Sequence, residues 1–371
     1  MTNFAGLYLH IPFCRKKCAY CDFYSSFATE ELIDRYVSAL IREIEKRGGP
    51  FGRPVDSIYF GGGTPSLLGE RVEQVLDAVR RHFTLSEDLE ITAEANPTAA
   101  DIPFLKAAKR SGVNRLSFGV QSGLDEELKT LGRNHTAEEA RETFFLAREM
   151  GFQNISVDLM LGLPDSTEET LSQSLDFIKA LDPEHVSTYL LKVEPHTKFY
   201  KISDQLHLPD EDAQAEQYLQ TCRFLENLGY RHYEISNFSK DGKESRHNLK
   251  YWQGDDYLGL GPAAHSFVGG KRFYFPRDLK AFLEGADPMA DGAGGDFEET
   301  VLLRLRLSDG LDLKTTADRF GVRIPKSLWQ RLEQYVRAGL GSLQNTTFSL
   351  TDTGMLVSNQ IISDILEEFA L

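Results

Sequence analysis

Six short β-forming runs alternate with amphipathic helical stretches over the first two thirds of the chain, and this alternation limits the fold more than any other feature. The runs cover residues 7–11, 57–60, 90–95, 115–119, 155–159 and 185–191. After the first, Leu32, Tyr36, Leu40, Ile41 and Ile44 recur at helical spacing, with Thr29 or a neighbour as cap and Gly48-Gly49-Pro50 as stop. Residues 71–83, 102–111, 137–150 and 168–181 carry the same pattern, and Gly112, Gly151 and Pro183 follow the last three as termination signals. β/α units in series imply a parallel sheet covered by helices. Six units fall short of the eight of a closed barrel, so the expected fold is α/β, a partial, open (β/α)6 barrel. A doubly wound open sheet is the second choice.

The remainder divides by composition. Residues 211–229 form a further helix that carries Cys222, a position suited to a half-buried packing role. Residues 230–270 are rich in Tyr, His, Asn and Gly and fit no period, and 285–295 has the composition of a linker. Residues 296–371 return to helical patterning with a strand at 348–350, as in a small winged-helix-like α+β unit. The expected organisation is therefore a barrel over 1–230, a connecting region over 231–295 and a C-terminal unit over 296–371. A net charge of −15 and a pI near 5.1 argue against nucleic-acid partners. The segment 291–371, with eight basic and twelve acidic residues, does not change that. No apolar run approaches the ~20 residues that span a bilayer. Met1–Gly6 shows no signal-peptide pattern, so the expected location is the cytoplasm, with peripheral contact at the inner membrane allowed.

Four cysteines are too few for a disulfide framework. Three of them, Cys14, Cys18 and Cys21, stand in the order Cys-x3-Cys-x2-Cys. Three readings are open. They are unrelated buried thiols, ligands of a zinc ion with a fourth donor such as His10, or ligands of an iron–sulfur cluster. On a four-iron cluster, three thiolates leave one iron open to a small molecule.

Ligand sites in parallel β/α folds lie at the C-terminal ends of the strands. Here those ends hold Tyr8 and His10, then Gly61-Gly62-Gly63-Thr64-Pro65, then Glu94 with Asn96 beyond it. Gln121, Arg133 in the loop 131–135, and Asp158 follow. Singly, each carboxylate or amide could be a solvated strand end, and the glycines only a tight turn. No Gly-x-Gly-x-x-Gly and no Gly-Lys-Ser/Thr is present, which removes those nucleotide motifs. Together, downstream of a three-thiol loop, they predict one polar site.

The run Cys14-Arg15-Lys16-Lys17-Cys18-Ala19-Tyr20-Cys21 resembles the signature of radical S-adenosylmethionine proteins. The resemblance implies a partial barrel whose three cysteines hold a [4Fe–4S] cluster, with the methionine amine and carboxylate of the cofactor on the fourth iron. Within that family the chain resembles the branch of oxygen-independent coproporphyrinogen III dehydrogenases. By that likeness Tyr8, Tyr20, Gly62, Gly63, Thr64, Glu94, Gln121, Arg133 and Asp158 become S-adenosylmethionine contacts. Arg133 would suit the carboxylate, and Asp158 and Gln121 the ribose or amine.

The branch contains enzymes and heme chaperones, and three features lean toward the chaperones. Asp22-Phe23 follows Cys21 where the dehydrogenases have a fourth cysteine. Their long N-terminal extension is not seen ahead of Tyr8. His247-Asn248-Leu249-Lys250-Tyr251-Trp252 matches the chaperone pattern His-Asn-x-x-Tyr-Trp. One departure is Ala263, where the family usually has glycine. The resemblance implies heme as cargo, passed to recipient hemoproteins that include membrane-bound ones, and no conversion of coproporphyrinogen. His247, Tyr251 and Trp252 are then heme candidates, through axial ligation and stacking. The plain alternative is that His247 caps a helix or holds a loop.

Overall fold

The computed structural model describes residues 4–98 and 101–370; Met1–Asn3, read above for a leader signal, lie outside them. The six expected strands are β1 (Ala5–Ile11), β2 (Val55–Gly62), β3 (Leu85–Ala95), β4 (Arg115–Gln121), β5 (Ile155–Leu161) and β6 (His185–Leu190). They pair in parallel in that order. Helices α1 (Glu30–Phe51), α2 (Arg71–His82), α3 (Ile102–Arg110), α4 (Ala137–Glu149), α5 (Glu168–Leu181) and α6 (Glu211–Asn227) connect or follow them. Each helix turns an apolar stripe to the sheet: Tyr36, Leu40 and Ile44 on α1, and Val72, Val75 and Val79 on α2, are buried.

The stop expected at Gly48-Gly49-Pro50 is misplaced: α1 runs through it to Phe51 and ends at Gly52, whose φ of 66° closes the helix. Gly48 serves packing instead. A β-carbon there would stand 2.5 Å from the carbonyl oxygen of His82, so glycine lets α1 and α2 approach closely.

The region after α6 extends the same sheet. β7 (Arg231–Glu234) and β8 (Asn237–Ser239) add antiparallel beyond β6. Helix α7 (Arg246–Gln253) follows, and β9 (Tyr257–Leu260) returns to pair in parallel with the free side of β1. β10 (His265–Val268), β11 (Lys271–Tyr274) and β12 (Met289–Ala293) continue outward from β9. The result is one mixed twelve-stranded sheet whose terminal strands are β12 and β7, an open barrel. The linker composition of 285–295 hides β12, which has all five residues exposed and therefore no apolar alternation to read.

The C-terminal unit packs helices Phe297–Arg304, Leu313–Phe320 and Lys326–Arg337 with a three-stranded antiparallel sheet that includes Thr347–Leu350. Its Val301, Leu305 and Phe348 belong to the same continuous apolar core as the barrel helices. His232 on β7 bonds Asp352 at 2.7 Å (Nδ1 to Oδ1), and Glu234 bridges Leu307. Among the described residues no helix is long and apolar enough to cross a membrane.

Ala263 keeps the backbone that a glycine would take, with φ at 67°. Its amide donates to the Phe275 carbonyl at 3.0 Å, which fixes the loop against β11. A left-handed L-residue costs about 1 kcal/mol or more. Ala263→Gly should therefore stabilise the fold by about 1 kcal/mol and raise Tm by about 1–2 °C. Urea and thermal unfolding check this, and a loss of stability would mean that the methyl group packs usefully.

Candidate functional site

A cavity of about 670 Å³ opens at the C-terminal ends of β1 to β6. Its walls come from the strand ends, the cysteine loop and the loop after β6. Cys14, Cys18, Tyr20, Cys21, Gly62, Gly63, Thr64, Glu94, Gln121, Arg133 and Asp158 all line it. Eleven residues scattered over 145 positions of sequence are thus brought to one mouth by strand order alone.

The cysteine loop is fastened at several points. Cys14 ends the short strand Phe13–Cys14, paired with Ser26–Phe27. The Ala19 amide donates to the Leu131 carbonyl at 2.9 Å, and the Ala19 carbonyl accepts from the Phe199 amide at 2.9 Å. Arg133 Nη1 reaches Cys18 Sγ at 3.6 Å, and Thr64 Oγ1 lies 3.6 Å from Cys14 Sγ. All three thiols are partly exposed, whereas Cys222 is buried on α6. Burial pushes the Cys21 thiol up to about 11, with Cys18 and Cys14 adding to the rise. Holding Cys21 as a thiolate therefore takes nearby positive charge.

The spacing also speaks to the zinc reading. Thiolates about 2.3 Å from a single zinc lie about 3.8 Å apart. Among the described residues, the set of three donors converging within 4.8 Å is Cys222, His232 and Asp352, not the loop thiols. The loop thiols do not form such a set. His10 is no fourth donor here, because its Nδ1 meets the Tyr8 hydroxyl at 3.0 Å and its Nε2 the Tyr24 carbonyl at 3.1 Å.

The floor is polar. Glu94 accepts from the Tyr59 hydroxyl at 3.0 Å, and burial, reinforced by Asp158, pushes its carboxyl up to about 8. Burial raises Asp158 to about 6, although hydroxyls of Ser187 and Ser117 oppose the shift. Arg115 also lines the cavity; it is nearly fully buried, and its Nε has no partner within the protein. Arg133 gives Nη2 to the Asn96 side chain and the Gly119 carbonyl, both at 2.7 Å, and leaves a buried Nε unpaired. Gln121 has a φ of 73° beyond a register shift at the end of β4, a bulge that aims its side chain back over Gly119. At Gly63 an added β-carbon would stand 2.4 Å from the Phe13 carbonyl oxygen, so only glycine lets this turn nest against the cysteine loop.

Two groups of predicted residues are placed differently. Tyr8 does not line the cavity. It lies one layer below, its ring stacked on Tyr59 at 6.2 Å. Of α7, Asn248 reaches the cavity, but His247, Tyr251 and Trp252 do not. His247 is fully buried inside the barrel, its Nδ1 3.0 Å from Ser57 Oγ and its Nε2 2.9 Å from the Tyr251 hydroxyl. Burial, with the Lys250 charge, holds its ring neutral, down to about 3. Both ring nitrogens are thus engaged within the protein, the arrangement of a residue that holds its helix against the sheet. Tyr251 turns its ring edge onto His247, and Trp252 lies under the Arg306 guanidinium at 5.9 Å, facing the C-terminal unit.

Residues not singled out from sequence are Tyr59, Arg115, Ser117 and Ser187. The available signal was period two: along β2, β4 and β6 these are inward positions, polar where a buried strand should be apolar.

Residues 8–178 match the Radical SAM superfamily and residues 296–357 the HemN C-terminal domain. The heme chaperone HemW of Bacillus subtilis is 38% identical over 97% of this chain and 99% of its own length. The heme chaperone HemW of Escherichia coli is 43% identical over 76% of each. A mitochondrial radical S-adenosyl methionine domain-containing protein 1 of Mus musculus is 42% identical over 70% of this chain and 60% of its own. Among solved structures, the radical SAM enzyme coproporphyrinogen III oxidase (HemN) of Escherichia coli superposes with a TM-score of 0.84. It covers 98% of this chain and 90% of that one at 24% identity, a likeness of fold.

Glu94 generates a pH prediction. Its folded value near 8 exceeds the ordinary 4.5, so the native state holds a proton that the unfolded chain releases. The stability this contributes is complete below about 4.5 and is lost as pH rises through about 8. Glu94→Gln should gain on the wild type as pH climbs from about 5 to 8.5. Urea unfolding of cofactor-free protein at both pH values measures it; an equal offset at both would remove Glu94 as a buried titrating group.

Proposed function

This chain belongs to the HemW family of heme chaperones within the radical SAM superfamily, and we propose that it binds heme and passes it to recipient hemoproteins. The observation that carries the reading is 38% identity along nearly the whole of both chains to a curated chaperone. The solved coproporphyrinogen III oxidase, by contrast, is 24% identical, a likeness of fold. Phe23, two-thirds exposed at the cavity mouth, supports the same choice, since it stands where the dehydrogenase motif has its fourth cysteine. Recipients at the inner face of a membrane belong to this proposal.

The residues at the cavity fit the cofactors of the superfamily. Three partly exposed thiols on one fastened loop suit a [4Fe–4S] cluster, with Cys14, Cys18 and Cys21 as its ligands. The unpaired Nε of Arg133 faces a carboxylate's chemistry, and the recessed Glu94 and Asp158 face that of an amine or ribose. When bound, the cluster supplies a low-potential electron and S-adenosylmethionine a reducible sulfonium. The chain's own part is to hold and shield. Gly62 and Gly63 bring backbone close to the ligand. Arg115 offsets the two carboxylates, and Thr64 and Arg133 flank the sulfurs. His247 and Tyr251 brace the barrel wall beneath.

Anaerobic reconstitution tests the proposal. Wild-type protein should bind hemin and leave coproporphyrinogen III unconverted when reduced and given S-adenosylmethionine. Sustained protoporphyrinogen formation would overturn the chaperone reading. Cys18→Ala should lose the iron and sulfide that Cys222→Ala keeps, by metal and sulfide analysis. Arg133→Ala should retain the cluster but bind S-adenosylmethionine about 10- to 100-fold more weakly, the loss of a charge-assisted bond of about 1.5–3 kcal/mol. Unchanged affinity would remove Arg133 from the cofactor site.

A further inference from the structure

We propose that Cys222, His232 and Asp352 bind a zinc ion that clasps the C-terminal unit to the barrel. None of the three lines the cavity at the strand ends, and the inference stands apart from the chaperone reading.

The three side chains come from three elements. Cys222 lies on α6, the helix that follows the β/α series, and His232 on β7. Asp352 opens the helix Asp352–Leu356 of the C-terminal unit. Their donor atoms all lie within 4.8 Å of one another. Donors on one tetrahedral zinc stand roughly 3.3–3.8 Å apart, given bonds of about 2.0 Å to nitrogen or oxygen and about 2.3 Å to sulfur. Small side-chain rotations therefore close the set around an ion. A thiolate, an imidazole and a carboxylate together suit zinc and not magnesium or calcium, which take oxygen ligands.

Histidine beside a carboxylate is common, and the others in this protein mark what is different here. Among the described residues, His82 with Glu45, His207 with Asp165 and His265 with Asp291 are surface pairs, every side chain about one third exposed or more. His232 meets Asp352 at 2.7 Å with the two side chains 4% and 29% exposed, and the fully buried Cys222 completes the group. Burial shields the thiol, while the partial exposure of Asp352 leaves the ion a way in.

The imidazole is held in place for such a role. Its ring stacks on Phe238 at 4.1 Å, with 10° between the planes. Its Nε2 lies 3.5 Å from the Tyr218 hydroxyl, which donates to the Ile235 carbonyl at 3.1 Å. Outer partners of this kind orient histidines that bind metal. Glu226, one helical turn after Cys222, adds negative charge: burial raises its carboxyl, Asp352 adds to the rise and His232 opposes it. On binding, the S–H bond of Cys222 gives way to S–Zn and the proton leaves to solvent, with no electrons transferred. The ion would tie His232 to a residue 120 positions further along the chain, and a cross-link over so long a segment restricts the unfolded state.

Metal counting tests the proposal. Cluster-reconstituted, full-length protein is equilibrated anaerobically with zinc sulfate, desalted and analysed for zinc, iron and sulfide, and a chromophoric chelator in competition gives the affinity. One zinc per chain is expected beside an unchanged complement of iron and sulfide. Zinc at about 100 times its Kd should raise Tm by about 3–5 °C. Cys222→Ser and Asp352→Asn should each bind zinc at least tenfold more weakly and keep their iron and sulfide. Asp352→Asn retains a hydrogen-bonding partner for His232, so it tests the site even where Cys222→Ser folds poorly. His207→Ala, which breaks a surface histidine–carboxylate pair, should bind zinc as the wild type does. Cobalt in place of zinc reads the ligands directly. In protein carrying Cys14→Ala, Cys18→Ala and Cys21→Ala it should show a thiolate-to-cobalt charge-transfer band that adding Cys222→Ser abolishes. Wild-type protein without zinc, wild-type zinc affinity in Asp352→Asn, or a cobalt–thiolate band that is absent or survives Cys222→Ser would each overturn the proposal and leave the chaperone reading untouched.

Discussion

A parallel sheet that curves without closing must fill a concave interior, and in this protein the filling is polar. Successive inward positions are Ser57 and Tyr59 on β2, Thr92 and Glu94 on β3, Arg115 and Ser117 on β4, Ser156 and Asp158 on β5, and His185 and Ser187 on β6. Buried polar groups are costly unless partnered, so these side chains have to satisfy one another. They do so in tiers. At the lower tier Ser57 meets His247 at 3.0 Å and Ser156 meets His185 at 2.8 Å, and His185 in turn meets the Tyr233 hydroxyl at 2.8 Å. At the upper tier the partners run short, and Glu94, Asp158 and Arg115 face the cavity with raised carboxyl values and an unpaired nitrogen. At the cavity the wall thus keeps polar groups to spare for a ligand.

That division explains why elements outside the β/α series are needed. α7 brings His247 and Lys250 into the base of the barrel, where Lys250 pairs with Asp56 at 2.8 Å. β9 then covers the otherwise free side of β1, the strand that leads into the cysteine loop. The loop after β6 and the turn before α4 close on that loop from the other side, through Phe199 and Leu131. The thiols therefore sit on a segment fastened from three directions, which suits ligands that must hold a fixed geometry.

Much of this was legible in the sequence. All six strands of the series, the helices between them and the end of the sheet that bears chemistry follow from periodicity and termination signals. Of the cofactor candidates, only Tyr8 falls outside the cavity. What escaped has physical causes. β7, β8 and β9 are three or four residues long, too short to show alternation. Gly48-Gly49-Pro50 carries stop residues for reasons of helix contact. Arg115, Ser117 and Ser187 are inward polar residues that, one strand at a time, are indistinguishable from solvent-facing ones.

The motif from His247 to Trp252 is built into the scaffold of the barrel. The His247 ring is spent on Ser57 and Tyr251, the two amides before Asn248 bond the Glu90 carboxylate at 3.2 Å, Trp252 lies toward the C-terminal unit, and Asn248 alone of the motif reaches the cavity. Freeing His247 for iron would unpair Ser57 and Tyr251 inside the barrel and open a cavity beneath Tyr59, whose ring lies 5.3 Å from the imidazole. Each unpaired buried group would cost about 1–3 kcal/mol. A pattern that braces the barrel in this way constrains sequence as tightly as a binding site does.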